Sequence, residues 1–309
     1  MSSGFNWREE YERDPLNSDV VNMLFEVGRQ DMGAYTFNRP IEAGPGEGFQ
    51  YSSGDTNLMM RGLRRAIGKD YANFPWRKLF LPLRIDAVWE RDASGTFIGS
   101  SNLYMRLRDW AKIGELINHR GVWKGRQIVS KSYMDYMLKM QRAPGRGSPP
   151  YGAQIWLDFP VIGLMSAIGY EGQFIIMDPQ NDLVIVRLGM DQASGISPFR
   201  LYREAVSALG IQASGEDFPS GELPYKKISK KPKSDSVGDP RWIPIVARFR
   251  AKSLCSCFNV IKKEAAYCEA WTDMGFLPLP YQRNRQGGVD VGNPVLATAN
   301  PTGSRYGCQ

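Results

Sequence analysis

Two short segments of this chain carry groups that could do chemistry. The first is Tyr51-Ser52-Ser53-Gly54-Asp55, a phenol and two hydroxyls on a turn that leads into a helical pattern. A phenol has an ordinary pKa near ~10, so it moves a proton at neutral pH only if a neighbouring cation lowers that value. The second is Ala167-Ile168-Gly169-Tyr170-Glu171-Gly172-Gln173. Glycines at 169 and 172 would let the backbone approach another group with no side chain in the way. Taken singly, both signals are weak: Tyr-Ser-Ser caps many helices, and Gly-x-x-Gly is an ordinary tight turn.

The rest of the catalytic inventory is narrow. The only histidine, His119, lies in Ile-Asn-His-Arg-Gly, which reads as a helix end before a turn. A metal centre built on several imidazoles is excluded, and His119 reads as a solvated surface side chain. No serine has a lysine three positions on, so a Ser-x-x-Lys nucleophile motif does not occur in these residues. Cys255, Cys257, Cys268 and Cys308 match no paired C-x-x-C zinc pattern and read as incidental thiols. No metal or organic cofactor is expected.

The elements that must position the two segments are legible as periodicities. Residues 15–38 have mixed helical character and run into the glycine-rich loop 43–48. Leu58, Met59, Leu63, Ala66 and Ile67 form a helical face that Gly68 ends, with Ser53 or Asp55 as the expected cap. After a Gly/Ser-rich loop at 94–103, Trp110, Ile113, Leu116 and Ile117 repeat at helical spacing. A Pro/Gly-rich segment at 143–150 precedes Tyr151 to Trp156, which reads as a strand. Gln173 to Met177 and Leu183 to Leu188 read as two strands of a hairpin, turned at Asp178-Pro179-Gln180-Asn181-Asp182. A last helix at about 198–209 ends at Gly210.

Composition changes past residue 210. Residues 1–210 hold 25 Lys+Arg against 23 Asp+Glu, and residues 211–309 hold 14 against 9, so most of the net +7 belongs to the second part. The segment 226–233 reads as a solvated basic linker, and 240–309 offers one helix, around 244–267. The chain thus divides into a domain at 1–210 and a basic, largely disordered tail at 211–309. Net charge alone gives no reason to expect nucleic-acid binding. Mean hydropathy is −0.37, and no apolar run approaches the roughly 18 residues of a membrane span. The first residues lack the basic start and apolar stretch of a signal peptide, so the chain as written reads as cytoplasmic, while a longer parent could be periplasmic or secreted.

In order and spacing, FQYSSGDTNL at 49–58, LRDWAKIG at 107–114, YGAQIW at 151–156 and residues 169–188 resemble the β-lactamase-related serine hydrolases. The likeness is greatest to the branch of 6-aminohexanoate-dimer hydrolases and class C-like esterases. It covers nearly all of 1–210. The resemblance implies an α/β (α+β) fold, an antiparallel sheet flanked by helices with a helical subdomain. It also implies hydrolysis of a small amide or ester through an acyl-serine, without a cofactor. By motif match, Tyr51 is the proton-transfer residue, Ser53 contacts the substrate, the Tyr170 backbone N–H is the oxyanion donor beside Gly169, and Trp156 walls the pocket.

Two departures from the family pattern matter. Ala167-Ile168-Gly169 stands where the family carries Lys/His-x-Gly, which argues for an uncharged amide or ester over a carboxylate-bearing one. The Ser-x-x-Lys segment is absent, and Met1 to Phe5 resembles an internal family segment, so the chain reads as N-terminally truncated and inactive as written. A pseudo-enzyme that binds ligand and a gene fragment are both consistent with that pattern. A sheet stripped of its first strands would be marginally stable or prone to aggregate.

Overall fold

The computed structural model describes residues 1–10, 14–141, 149–189, 196–217, 239–272, 279–303 and 305–309. Side-chain caps start the first helices. Ser18 accepts from the Val21 N–H at the head of α1 (Asp19–Phe25), and Asp31 accepts from Ala34 at α2 (Met32–Phe37). At α3 (Ser53–Ile67) the cap is Ser52, not Ser53 or Asp55. The Ser52 Oγ accepts the Asp55 N–H at 3.0 Å, and Ser52 is the last extended residue before the helix. Gly68, at φ 68°, ends it as expected.

A small antiparallel pair, β1 (Ala87–Trp89) with β2 (Leu103–Met105), precedes α4 (Leu107–Asn118). The short hairpin β3 (Val122–Trp123) and β4 (Arg126–Gln127) and helix α5 (Lys131–Met137) follow. The main sheet has four antiparallel strands in sequential order: β5 (Trp156–Leu157), β6 (Met165–Gly169), β7 (Gln173–Asp178) and β8 (Leu183–Arg187). Helix α4 covers one face through Trp110 and Ile117, which pack with Ile175, Met177 and Val184. Helix α6 (Pro198–Leu209) covers the other through Tyr202 and Val206, against Phe174 and Ile176. The alternation of inward residues along β7 therefore splits between two cores, as a strand buried on both faces requires.

Tyr151 to Trp156 is not a continuous strand. The backbone folds back so that the Gly152 N–H meets the Ile155 carbonyl at 2.8 Å, with Gln154 at φ 68°. Only Trp156 and Leu157 join the sheet. The fold-back sets Tyr151 edge-on against Trp156, with ring centroids 4.6 Å apart.

The described part of 239–309 is folded where the sequence reading expects disorder. Helix α7 (Trp242–Ser256) runs on through a wider turn to Ile261, α8 (Ala265–Thr272) follows, and β9 (Tyr281–Arg283), β10 (Val289–Val291) and β11 (Ala297–Ala299) form a three-stranded sheet. The four cysteines, expected as incidental thiols, are paired there. Cys255 pairs with Cys308 and Cys257 with Cys268, all four fully buried with Leu254, Val289 and Val291. Such cross-links let a small core hold where burial alone falls short. The basic segment 226–233 lies outside the described residues, as does most of 143–150. Among the described residues, no helix is long and apolar enough to cross a membrane.

Candidate active site

Ser52 is the cap of α3, so Tyr51 immediately precedes it. The Tyr51 ring lies parallel to Trp156, centroids 6.1 Å and planes 4° apart. Tyr151 meets Tyr51 edge-on at 6.4 Å, and Phe49 packs on Tyr151 at 5.2 Å. Ile168 of β6 joins the same apolar cluster, so the tyrosine turn and the strand leading to Gly169 converge on one spot. Burial, then the neighbouring Tyr51, pushes the Tyr151 phenol well above its ordinary pKa, which keeps it protonated. Tyr151 and Phe49 had no chemical reading in the sequence. Two aromatics flanking the tyrosine turn and the following strand were the available signal.

The second segment forms the β6–β7 connection. Gly169 pairs with Gln173 across a three-residue turn, Tyr170–Gly172. Glu171 takes the left-handed conformation (φ 58°, ψ 29°), and Gly172, at φ 81°, occupies backbone space that other residues enter only with strain. Gly169 is ordinarily extended. Its lack of a side chain matters because a Cβ there would lie 2.9 Å from the Gln173 Cβ. Arg187 of β8 reaches back to donate to the Gly172 carbonyl at 2.7 Å, and the Gln173 side-chain oxygen accepts the Gly189 N–H at 3.2 Å. The turn is thus clamped from the neighbouring strand. Arg187 was missed in the sequence, although it is the one charge in Leu-Val-Ile-Val-Arg-Leu. The Tyr170 side chain is half-exposed.

Ser53 is buried at 8% exposure and engaged within the protein. Its hydroxyl donates to Glu9 Oε1 at 2.5 Å and its backbone N–H to Glu9 Oε2 at 3.0 Å; the Trp7 indole also donates to Glu9. Glu9 therefore locks the first turn of α3, where a carboxylate also meets the positive end of the helix. Ser3 donates to Asp55 at 2.6 Å in the same turn. No spacing rule could have matched Glu9 to a serine so distant in sequence.

His119 caps the end of α4 and lies 2.6 Å from Asp182, at the far end of the β7–β8 hairpin from Tyr170. It does not meet the tyrosine turn. Among the described residues, no group of three His, Cys, Asp or Glu side chains converges as a metal site.

Residues 1–194 match the family model described as beta-lactamase. The chain belongs to the β-lactamase family. Within this β-lactamase-type domain, the 6-aminohexanoate-dimer hydrolase of Paenarthrobacter ureafaciens is 27% identical over 201 residues, covering 56% of this chain and 50% of that protein. A solved structure, "Putative 6-aminohexanoate-dimer hydrolase from Bacillus anthracis", superposes with a TM-score of 0.52 at 22% identity, covering 59% of this chain and 50% of that one. At such identity, the second likeness concerns the β-lactamase-like fold alone. The chain spans about half the length of these relatives.

Proposed function

We propose that this chain carries the tyrosine turn and oxyanion turn of a β-lactamase-family hydrolase for uncharged amides or esters. Tyr51 would transfer the proton between the nucleophile and the leaving amine or alcohol. The Tyr170 backbone N–H would stabilise the oxyanion. Trp156, with Tyr151 and Phe49, would form the apolar wall that receives the acyl chain. Ser53, held by Glu9, would orient the turn and accept a hydrogen bond from the substrate on its hydroxyl oxygen.

The observation that carries this reading is the shared cluster of Tyr51, Trp156 and Ile168, which brings the phenol to the strand ending at Gly169. Ala167-Ile168-Gly169 supplies no basic side chain to pair with a substrate carboxylate, which favours a neutral ligand. The 309 residues contain no Ser-x-x-Lys, so the activity proposed for this chain alone is binding without turnover.

Titration calorimetry with N-butylbutanamide, and with the analogue ending in a carboxylate, tests the reading. Saturable binding of the neutral amide is expected, weaker for the carboxylate and lost in Trp156→Ala. Equal binding of both ligands, or binding unchanged by Trp156→Ala, would refute it.

A further inference from the structure

The last five residues are attached to the hydrolase body and to α7 at the same time. The Arg305 carbonyl accepts the Trp89 N–H at 2.8 Å, placing residue 305 beside strand β1. Tyr306 packs on Trp76 and Phe97, with the Arg91 guanidinium 3.7 Å from its ring centroid. Gln309 donates through its side chain to the carbonyls of Arg91 and Asp92, at 2.7 and 2.9 Å. Gly307 runs so close to Glu90 that a Cβ would fall 2.5 Å from the Glu90 Cγ.

Glu90, wholly buried, is the centre of this junction. Lys252 Nζ of α7 lies 2.9 Å from its Oε2, within ion-pair range although not angled as a hydrogen bond. Ser256 of α7 donates to its Oε1 at 2.6 Å, and the Cys308 N–H approaches the same oxygen at 3.5 Å. A buried carboxylate tolerates its position only while these partners stay in place. The bond that fixes α7 to the last residues is Cys255–Cys308, between Lys252 and Ser256 on one side and Gly307 on the other. Cys257–Cys268 closes only a local loop between α7 and α8.

We propose that Cys255–Cys308 is a redox latch, whose reduction by a dithiol releases residues 305–309 from strand β1 and from Glu90. In the exchange, a reductant thiolate attacks one sulfur to give a mixed disulfide. Its second thiolate then displaces the protein sulfur, leaving two cysteine thiols and an oxidised, cyclic reductant. The sulfurs are buried, so attack follows transient opening of the last residues. Once reduced, those residues no longer reclose against a covalent tether.

Trypsin reads the opening directly, because the Arg305 carbonyl is the one that Trp89 protects. Cleavage after Arg305 is followed by mass spectrometry of quenched, fully reduced samples, for the oxidised chain, the chain in dithiothreitol, Cys308→Ser and Cys268→Ser. Dithiothreitol and Cys308→Ser should each speed this cleavage by about tenfold or more, since limited proteolysis tracks the open population. Cys268→Ser should leave it within about twofold of the oxidised chain. Equal cleavage in all four samples, or acceleration by Cys268→Ser alone, overturns the latch. If Cys308→Ser does not fold, hydrogen exchange at the Trp89 amide of the native chain decides, with and without dithiothreitol: faster exchange on reduction supports the latch, and unchanged exchange overturns it.

Discussion

The Tyr51 ring lies parallel to that of Trp156, with planes 4° apart and centroids 6.1 Å apart. One ring precedes a helix and the other opens the edge strand of the main sheet, so their stacking fixes the helix start relative to β5. Tyr151 completes the arrangement edge-on to both rings. A phenol held in this way has little rotamer freedom, which suits the proton-transfer role proposed for it.

Replacing Trp156 should damage both stability and the proposed ligand wall. Trp156 is 3% exposed, and truncating a buried Trp to Ala costs about 3–5 kcal/mol. Trp156→Phe keeps an aromatic face and should lose less than half as much. Urea midpoints of the two variants check the order; an Ala variant as stable as wild type would remove Trp156 from the core.

The Glu9–Ser53 lock predicts non-additive losses. Glu9→Ala leaves the Ser53 hydroxyl and the Trp7 indole without this acceptor, a change worth about 1–3 kcal/mol. Ser53→Ala removes one donor and should cost about 1 kcal/mol. The double variant should lose less than the sum, because the two residues share one interaction. Strictly additive urea midpoints would place the two residues in separate networks.

Asp178 links acid stability to the turn between β7 and β8. Burial pushes its carboxyl upward, but hydrogen bonds from Asn181, Tyr202 and Ser214 together hold it below the ordinary value. A depressed carboxylate contributes stability above its unfolded pKa of about 4 and loses it as pH falls through the lower folded value. The wild type should therefore lose urea resistance steeply below about pH 4, and Asp178→Asn should lose this part of the slope while being less stable at pH 7. Parallel pH profiles for the two proteins would contradict this assignment.

Gly114 of α4 faces the sheet so closely that a Cβ would lie 2.5 Å from Val184 Cγ1 and 2.9 Å from Ile175 Cγ2. The higher helix propensity of alanine should not rescue Gly114→Ala. Overpacking costs about 1–3 kcal/mol, against a propensity gain of about 1 kcal/mol. A thermal melt at or above that of wild type would mean that the helix can shift outward at no cost.

Much of the positioning scaffold was legible in the sequence, because it follows from single-segment patterns. The apolar face of α4, the glycine that ends α3, and the turn from Asp178 to Asp182 each depend on residues within one or two turns of chain. Contacts between distant segments were not legible. Glu9 meets Ser53 across 44 residues, and Ser256 meets Glu90 across 166; no local periodicity encodes either. Tyr151 to Trp156 reads as a strand by composition, yet folds back to form the aromatic cluster. The pairing of four cysteines turned an apparently irregular tail into a core. For the candidate site, the sequence placed Tyr51 and the Gly169–Gly172 turn in order, but not the ring stacking or the Arg187 clamp.

Hydrolysis of p-nitrophenyl esters and nitrocefin by the folded chain, beside its Tyr51→Phe variant, decides whether these residues turn over substrate. No saturable turnover is expected from either protein, with binding of the neutral amide retained. Saturable turnover that disappears in Tyr51→Phe would contradict that expectation, and would mean that another residue of these 309 serves as the nucleophile.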